Sequence, residues 1–157
     1  GEEELLRVHA LAPLRLTHAA LCAMLPRGAG AVIQVSSRAA FAANAAAPTY
    51  AAAKAFLHRH ALGLAPALAG TGVRILSVCP GNTRTELFAR AGFTEEELAR
   101  VAFMEPDAVV DAALAALSSG ELVCVPGERR SQRLLRRLLP RRLLARAAGV
   151  LQRLAGV

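Results

Sequence analysis

Three short apolar runs constrain this chain more than any other feature. Ala31-Val32-Ile33-Gln34-Val35, Val73-Arg74-Ile75-Leu76-Ser77-Val78-Cys79 and Leu122-Val123-Cys124-Val125 are rich in β-branched residues, and Gly30, Gly72, Ser36 and Pro80 bracket the first two. Runs this short and this branched read as buried strands. Helical patterns separate them. Leu5, Val8, Leu11, Leu14, Leu21 and Leu25 recur at helical spacing before the first. A stretch from Tyr50 to about Ala69 lies between the first and second, and one from about Pro106 to Ser118 precedes the third. Strands that are apolar on both faces and alternate with helices pack as a parallel sheet covered on both sides. The expected class is therefore α/β, with about three strands.

Local signals set the boundaries. Pro13 should kink the helix over 3–25, and Pro26 and Gly28 should end it. Residues 38–48 read as a loop broken by Asn44 and Pro48, and Thr49 is placed to cap the helix over 50–69, with Pro66 weakening its last turn. Thr94 and Glu97 have capping-box spacing within a region, 84–104, that reads as one or two short helices. Pro106 suits a first helical position. The first strand would be an apolar edge with nothing beside it, which points to strands preceding Gly1. The chain also begins without Met, so it is expected to be either Met-processed or a piece of something longer.

At 157 residues and 54% apolar, the chain is sized for one domain with a real core. The net charge of +7 divides it unevenly. Residues 1–128 carry ten basic and twelve acidic side chains, whereas residues 129–157 carry nine arginines and no acid. This separates a near-neutral body, 1–128, from a basic tail, 129–157. No run is long and apolar enough for a membrane span, and the acidic start is wrong for a secretory signal. Cys22, Cys79 and Cys124 fit neither metal-ligand spacing nor a disulfide framework, so reduced thiols in a cytoplasmic protein are the simplest reading. His18, His58 and His60 show no ligand-like arrangement and read as surface or interface residues, and no metal is expected.

In the tail, Leu134, Leu135, Leu138 and Leu139 fall on one side of a helix and Arg130, Arg133, Arg136 and Arg137 on the other. Pro140 breaks this stretch, and Leu143, Leu144, Ala147, Val150, Leu151 and Leu154 rebuild the apolar stripe. The pattern suits an amphipathic helix lying on an anionic membrane, and equally one packed over a cleft with its arginines in water; packing is the preferred reading. Nucleic-acid binding is disfavoured, because the tail holds no aromatic residue and no binding motif accompanies it.

The chemistry gathers at one rim. In a sheet of this kind, ligands sit at the carboxyl ends of the strands. Ser36 and Ser37 close the first strand, Pro80, Gly81 and Thr85 follow the second, and Tyr50 and Lys54 open the helix between them. Tyr50 is the only tyrosine and Lys54 the only lysine, and a spacing of four puts them on one helix face. A phenol of ordinary pKa near 10 is a poor base at neutral pH, and a neighbouring ammonium favours the phenolate. The trio suits proton exchange with an alcohol or carbonyl oxygen.

Ser37, Tyr50-Ala51-Ala52-Ala53-Lys54 and Pro80-Gly81-Asn82-Thr83-Arg84-Thr85 together resemble the catalytic half of the short-chain dehydrogenase/reductase family, over about Leu5 to Gly127. The thirteen-residue gap from Ser37 to Tyr50 is the family's usual one and singles out Ser37 over Ser36. The resemblance implies a partial Rossmann-type sheet and an oxidoreductase moving hydride between NAD or NADP and a hydroxyl or ketone substrate. Ser37 would position the oxygen and Tyr50 would act as acid/base. Lys54 would tune Tyr50 and hold the nicotinamide ribose. The loop of Pro80, Gly81 and Thr83 would pack on the nicotinamide, and Thr85 would contact its carboxamide. It also implies a homo-oligomer through helices 3–25 and 50–69. Two departures stand out. His9 occupies the place of the family's relay Asn, which suits either a supporting or an impaired relay. No Gly-x-x-x-Gly-x-Gly turn follows a strand, since Gly28-Ala29-Gly30 and Gly70-Thr71-Gly72 both lead from helix into strand. The other reading is a non-catalytic remnant acting by helix association or by membrane-surface contact of its tail.

Overall fold

The structure, a computed structural model, describes residues 1–86, 92 and 94–128, without the side chain of Glu97. The expectations for the tail, 129–157, and for the Glu97 end of the capping box therefore lie outside the described residues.

Three strands form one parallel sheet in the order β1 (Gly30–Val35), β2 (Val73–Val78), β3 (Val123–Cys124). β1 and β2 pair from Gly30 opposite Val73 to Val35 opposite Val78, and β3 continues through Ser77 opposite Val123. Burial along β2 alternates between two cores, as a sheet covered on both faces requires. Val73 and Ile75 pack with Leu21, Ala61 and Leu68 on one side. Leu76 and Val78 pack with Ala113 and Cys124 on the other. α2 (Ala12–Met24) and α3 (Pro48–Leu68) supply the first side, and α5 (Pro106–Ser118) the second. α4 (Glu95–Ala99) is a short helix within the 84–104 region. β1 is an edge, with Ile33 37% and Val35 56% exposed on the face away from α2 and α3.

Two local expectations need correcting, and the interruption expected at Pro13 takes a specific form. α1 (Glu2–Leu6) runs through a π-helical turn, Arg7–Leu11, directly into α2. Pro13 has no N–H to offer the carbonyl of His9, and the N–H of Ala12 bonds back five residues to Arg7 O. Thr49 does not cap α3. The helix starts at Pro48, whose missing N–H and fixed φ suit a first turn, behind Ala47, whose N–H and that of Ala46 are taken up by Asn44 Oδ1. His58 is not a surface residue: it is buried, its ring edge-on to Phe41.

The face toward α2 and α3 also carries buried polar groups. Gln34 Nε2 donates to Thr17 Oγ1 at 2.9 Å and lies 3.0 Å from His60 Nδ1, while Gln34 Oε1 is buried with no hydrogen-bond partner.

Two helix-to-strand turns meet at the amino ends of β1 and β2. Gly70 and Gly72 both have φ of +77°, but a Cβ on Gly72 would sit 1.9 Å from Gly28 O, whereas one on Gly70 would meet nothing within 4 Å. Gly70→Ala should therefore cost about 1 kcal/mol of unfolding free energy and Gly72→Ala at least ~2 kcal/mol, read by denaturant titration.

Candidate active site

Backbone pairing delivers the chemistry-bearing residues to one rim. Past the last ladder pair, Ser36 N–H donates to Val78 O at 2.7 Å, and Arg38 N–H donates to Pro80 O at 2.9 Å. The exits of β1 and β2 are thus tied together, with Ser37 between the two ties. Gly81 lets this happen, since a Cβ there would press on Arg38 Cδ at 3.2 Å.

α3 is clasped to the same place. Ser36 Oγ–H donates to the backbone carbonyl of Lys54 at 2.6 Å, and Lys54 Nζ donates to Val35 O at 3.0 Å. Ser36 is thus a buried structural hydrogen bonder. Ser37 Oγ accepts from Ala39 N at 3.2 Å, capping a turn of 3₁₀-helix (Arg38–Phe41), and this leaves the hydroxyl proton of Ser37 to donate elsewhere.

Tyr50 is half-buried. The Lys54 ammonium lies over its ring, 5.6 Å from the centroid. His9, from the π-helical turn, meets the same ring edge-on at 5.4 Å. Burial first, then the charge of Lys54, lowers the His9 pKa. Burial likewise lowers that of Lys54, and Cys79 pulls it partly back up.

The loop after β2 is pinned rather than free. Thr83 Oγ1–H donates to Gly81 O at 3.2 Å, Met104 N–H donates to Asn82 O, and Arg84 N–H donates to Met104 O, both at 2.9 Å. Arg84 is committed to Glu105 at 2.9 Å and to the ring of Phe103. Thr85 is exposed, at the border of residues 87–91, which lie outside the described set. The structure therefore gathers His9, Ser37, Tyr50, Lys54, Pro80 and Gly81 at the carboxyl ends of β1 and β2, holds Thr83 in the following loop, and leaves Thr85 at its margin.

Sequence reasoning missed the layer beneath. His58 lies one turn beyond Lys54 and touches Ser77 and Cys79 in the core. The signal was present as a four-residue ladder, Tyr50, Lys54, His58. A broad apolar cleft of about 680 Å³, lined in part by Leu62, Pro66, Ile75, Leu117 and Leu122, opens at the opposite end of the sheet and does not reach this rim. Among the described residues no group of three His, Cys, Asp or Glu side chains is placed to hold a metal, and no helix is long and apolar enough to cross a membrane.

A family model described as short chain dehydrogenase matches residues 2–96. An uncharacterized oxidoreductase of Mycobacterium tuberculosis is 38% identical over 127 residues, 80% of this chain and 48% of that protein. One of Staphylococcus aureus is 30% identical over 123 residues, 78% of this chain and 51% of that protein. The chain spans about half the length of the curated relatives it matches. Among solved structures, a short-chain dehydrogenase from Sphingobium yanoikuyae in complex with NADPH superposes with a TM-score of 0.78 at 34% identity, covering 85% of this chain and 52% of that one. A bulky-bulky ketone specific alcohol dehydrogenase from Comamonas testosteroni gives 0.69 at 25% identity, covering 86% and 49%.

The imidazoles at this end of the molecule generate a pH dependence. Both His9 and His60 hold their pKa below the ordinary 6.5, each chiefly through burial. A base with a depressed folded pKa binds fewer protons folded than unfolded, so stability is full above 6.5 and is lost as pH falls through the depressed values. Melting temperatures measured from about pH 8 to about pH 5 should fall on the acid side, and His60→Gln should flatten that slope.

Proposed function

Because the chain belongs to the short-chain dehydrogenase family, we propose that it forms the substrate-side half of an NAD(P)-dependent oxidoreductase acting on a hydroxyl or ketone. The observation that carries this reading is the ammonium of Lys54 lying over the ring of Tyr50 while anchored on Val35 O, beside the hydroxyl of Ser37.

The residues fit a nicotinamide. A hydroxyl, a phenol and a buried ammonium converge at the strand ends, next to a loop whose glycine removes a clash. When bound there, a nicotinamide would supply or accept the hydride. Tyr50 Oη gives a proton to the carbonyl oxygen in reduction and takes it back in oxidation. Ser37 donates to the same oxygen and fixes its position. Lys54 has donors beyond the one given to Val35 O. These are available to ribose hydroxyls. His9, kept neutral by burial, is able to pass a proton at the edge of Tyr50. Pro80, Gly81, Thr83 and Thr85 would line the nicotinamide. The NADPH complex of the Sphingobium relative supports the cofactor class, and the ketone specificity of the Comamonas relative supports the substrate class.

We assign self-association to the first helix and α3. Leu6, Val8, Leu11, Leu16 and Phe56 are exposed along them, apolar surface open to a second copy.

Two measurements test these readings. NADPH and NADH oxidation against a panel of ketones should drop by about 10²–10⁴-fold in Tyr50→Phe, and an unchanged rate would remove Tyr50 from the chemistry. Leu16→Arg, at a position 70% exposed, should shift sedimentation toward the monomer without lowering the melting temperature.

A further inference from the structure

Charge is spread unevenly over the residues that build the rim. Residues 5–85, which include His9, Ser37, Tyr50, Lys54, Pro80 and Gly81, carry seven arginines, Lys54 and no acidic side chain. A site built from such a stretch sits in a positive field, and a field of one sign raises the local concentration of ligands of the other. Three of these cations stand at the rim or in the loop behind it, and they are not equivalent. Arg84 is neutralised by Glu105 at 2.9 Å. Lys54 is buried and gives a donor to Val35 O. Arg38 is the third.

Arg38 follows Ser37 directly, so its Cα lies about 3.8 Å from that of the residue assigned to hold the reacting oxygen. Its N–H is tied to Pro80 O at 2.9 Å, which fixes the backbone from which the side chain leaves. The side chain then runs over Gly81: a Cβ there would fall 3.2 Å from Arg38 Cδ and 3.7 Å from one terminal nitrogen. The guanidinium therefore lies against the loop after β2. Among the described residues it makes no ion pair and no side-chain hydrogen bond, and the residue is exposed.

An arginine without a protein partner is commonly a solvated surface charge. Two features of Arg38 go further. Its stem is packed on Gly81, so less freedom is lost when the head engages a ligand. Its donors form a planar fork that matches a carboxylate, and they stand next to a serine whose hydroxyl proton is also uncommitted. A ligand that presents a carbonyl or hydroxyl oxygen to Ser37 and Tyr50 brings its neighbouring carbons toward that fork.

We propose that Arg38 is the carboxylate-binding residue of this site, and that the substrate is a short oxo acid or the matching hydroxy acid, with its carboxylate close to the reacting carbon. For turnover this rests on the oxidoreductase reading above, whose substrate class it names; the binding of the acid does not. The carboxylate takes no part in bond making. Held by the fork, it aligns the neighbouring carbonyl with the hydroxyls of Ser37 and Tyr50, so that binding away from the reacting carbon becomes orientation at it. A phosphate of the cofactor carries the same anionic chemistry, and the two sources are separable by kinetics.

The probes are pyruvate, acetoacetate and levulinate, each paired with its uncharged methyl ester, which set the carboxylate at increasing distance from the carbonyl. With NADPH or NADH, kcat/KM for at least one acid should exceed that for its ester by about 10–100-fold, the range of a charge-assisted hydrogen bond. Arg38→Met, which keeps a stem on Gly81, should abolish that preference, mainly through the KM of the acid. Arg38→Lys, a charge without the fork, should restore part of it. Equal kcat/KM for acid and ester in the wild type, or a preference that survives in Arg38→Met, overturns the proposal. So does a rise in KM confined to NADPH or NADH, which would assign the guanidinium to a cofactor phosphate. Should Arg38→Met fail to fold by circular dichroism, Arg38→Gln takes its place. If no ketone of either kind is reduced, the dehydrogenase reading falls, and calorimetric titration of the 157-residue chain with the same pairs still decides on Arg38. Tighter binding of an acid than of its ester, lost in Arg38→Met, sustains the proposal; equal binding, or none, overturns it.

Discussion

One clasp holds the architecture of the rim together. At the last residue of β1 and the one after it, the carbonyl of Val35 accepts from the Lys54 side chain and the hydroxyl of Ser36 donates to the Lys54 backbone. A long flexible side chain is thereby fixed at both ends, and with it the first turns of α3. Tyr50 lies one turn earlier on the same face, so the phenol takes its place from a bond that its own side chain does not make. The other face of the sheet, toward α5, has no such requirement and is filled by Leu76, Val78, Ala113 and Cys124. The two faces are divided between chemistry and plain burial.

The chemical face is expensive. It holds Thr17, Gln34, Lys54, His58 and Ser77, all buried, and the amide oxygen of Gln34 has no partner. Each buried polar group costs free energy unless it is bonded, and the groups here are bonded to one another across elements: α2 to β1 through Thr17 and Gln34, α3 to β2 through His58 and Ser77. Such bonds are directional where apolar packing is not. They define how far each helix slides along the sheet, and so where Tyr50 stops relative to Ser37. Apolar contacts alone would tolerate a shift that proton transfer would not.

The π-helical turn plays a comparable part in the first helix. Pro13 withdraws a donor, and the chain responds by widening one turn instead of breaking. His9 sits within that turn, and its ring reaches the edge of Tyr50. Spacing around Pro13 marked an interruption of the helix, and the structure gives that interruption the form of a π-helical turn. The widened turn is possible because the helix packs against α3 on both sides of it, and that support is a property of the assembled molecule.

What the residues determined by themselves was whatever depends on period and on single-residue chemistry. Apolar runs of strand length, separated by helical spacing, entail a parallel sheet with helices on both faces, and the four-residue step from Tyr50 to Lys54 entails a shared face. The unpaired, apolar β1 edge could be read the same way. Tertiary structure alone decided which polar groups are buried and against what. His58, an unremarkable histidine in the sequence, became a core residue because α3 turns that face onto β2. Cys79, just past β2, came against His58 for the same reason. Burial and long-range proximity are relations between elements, and no local pattern encodes the register at which two elements meet.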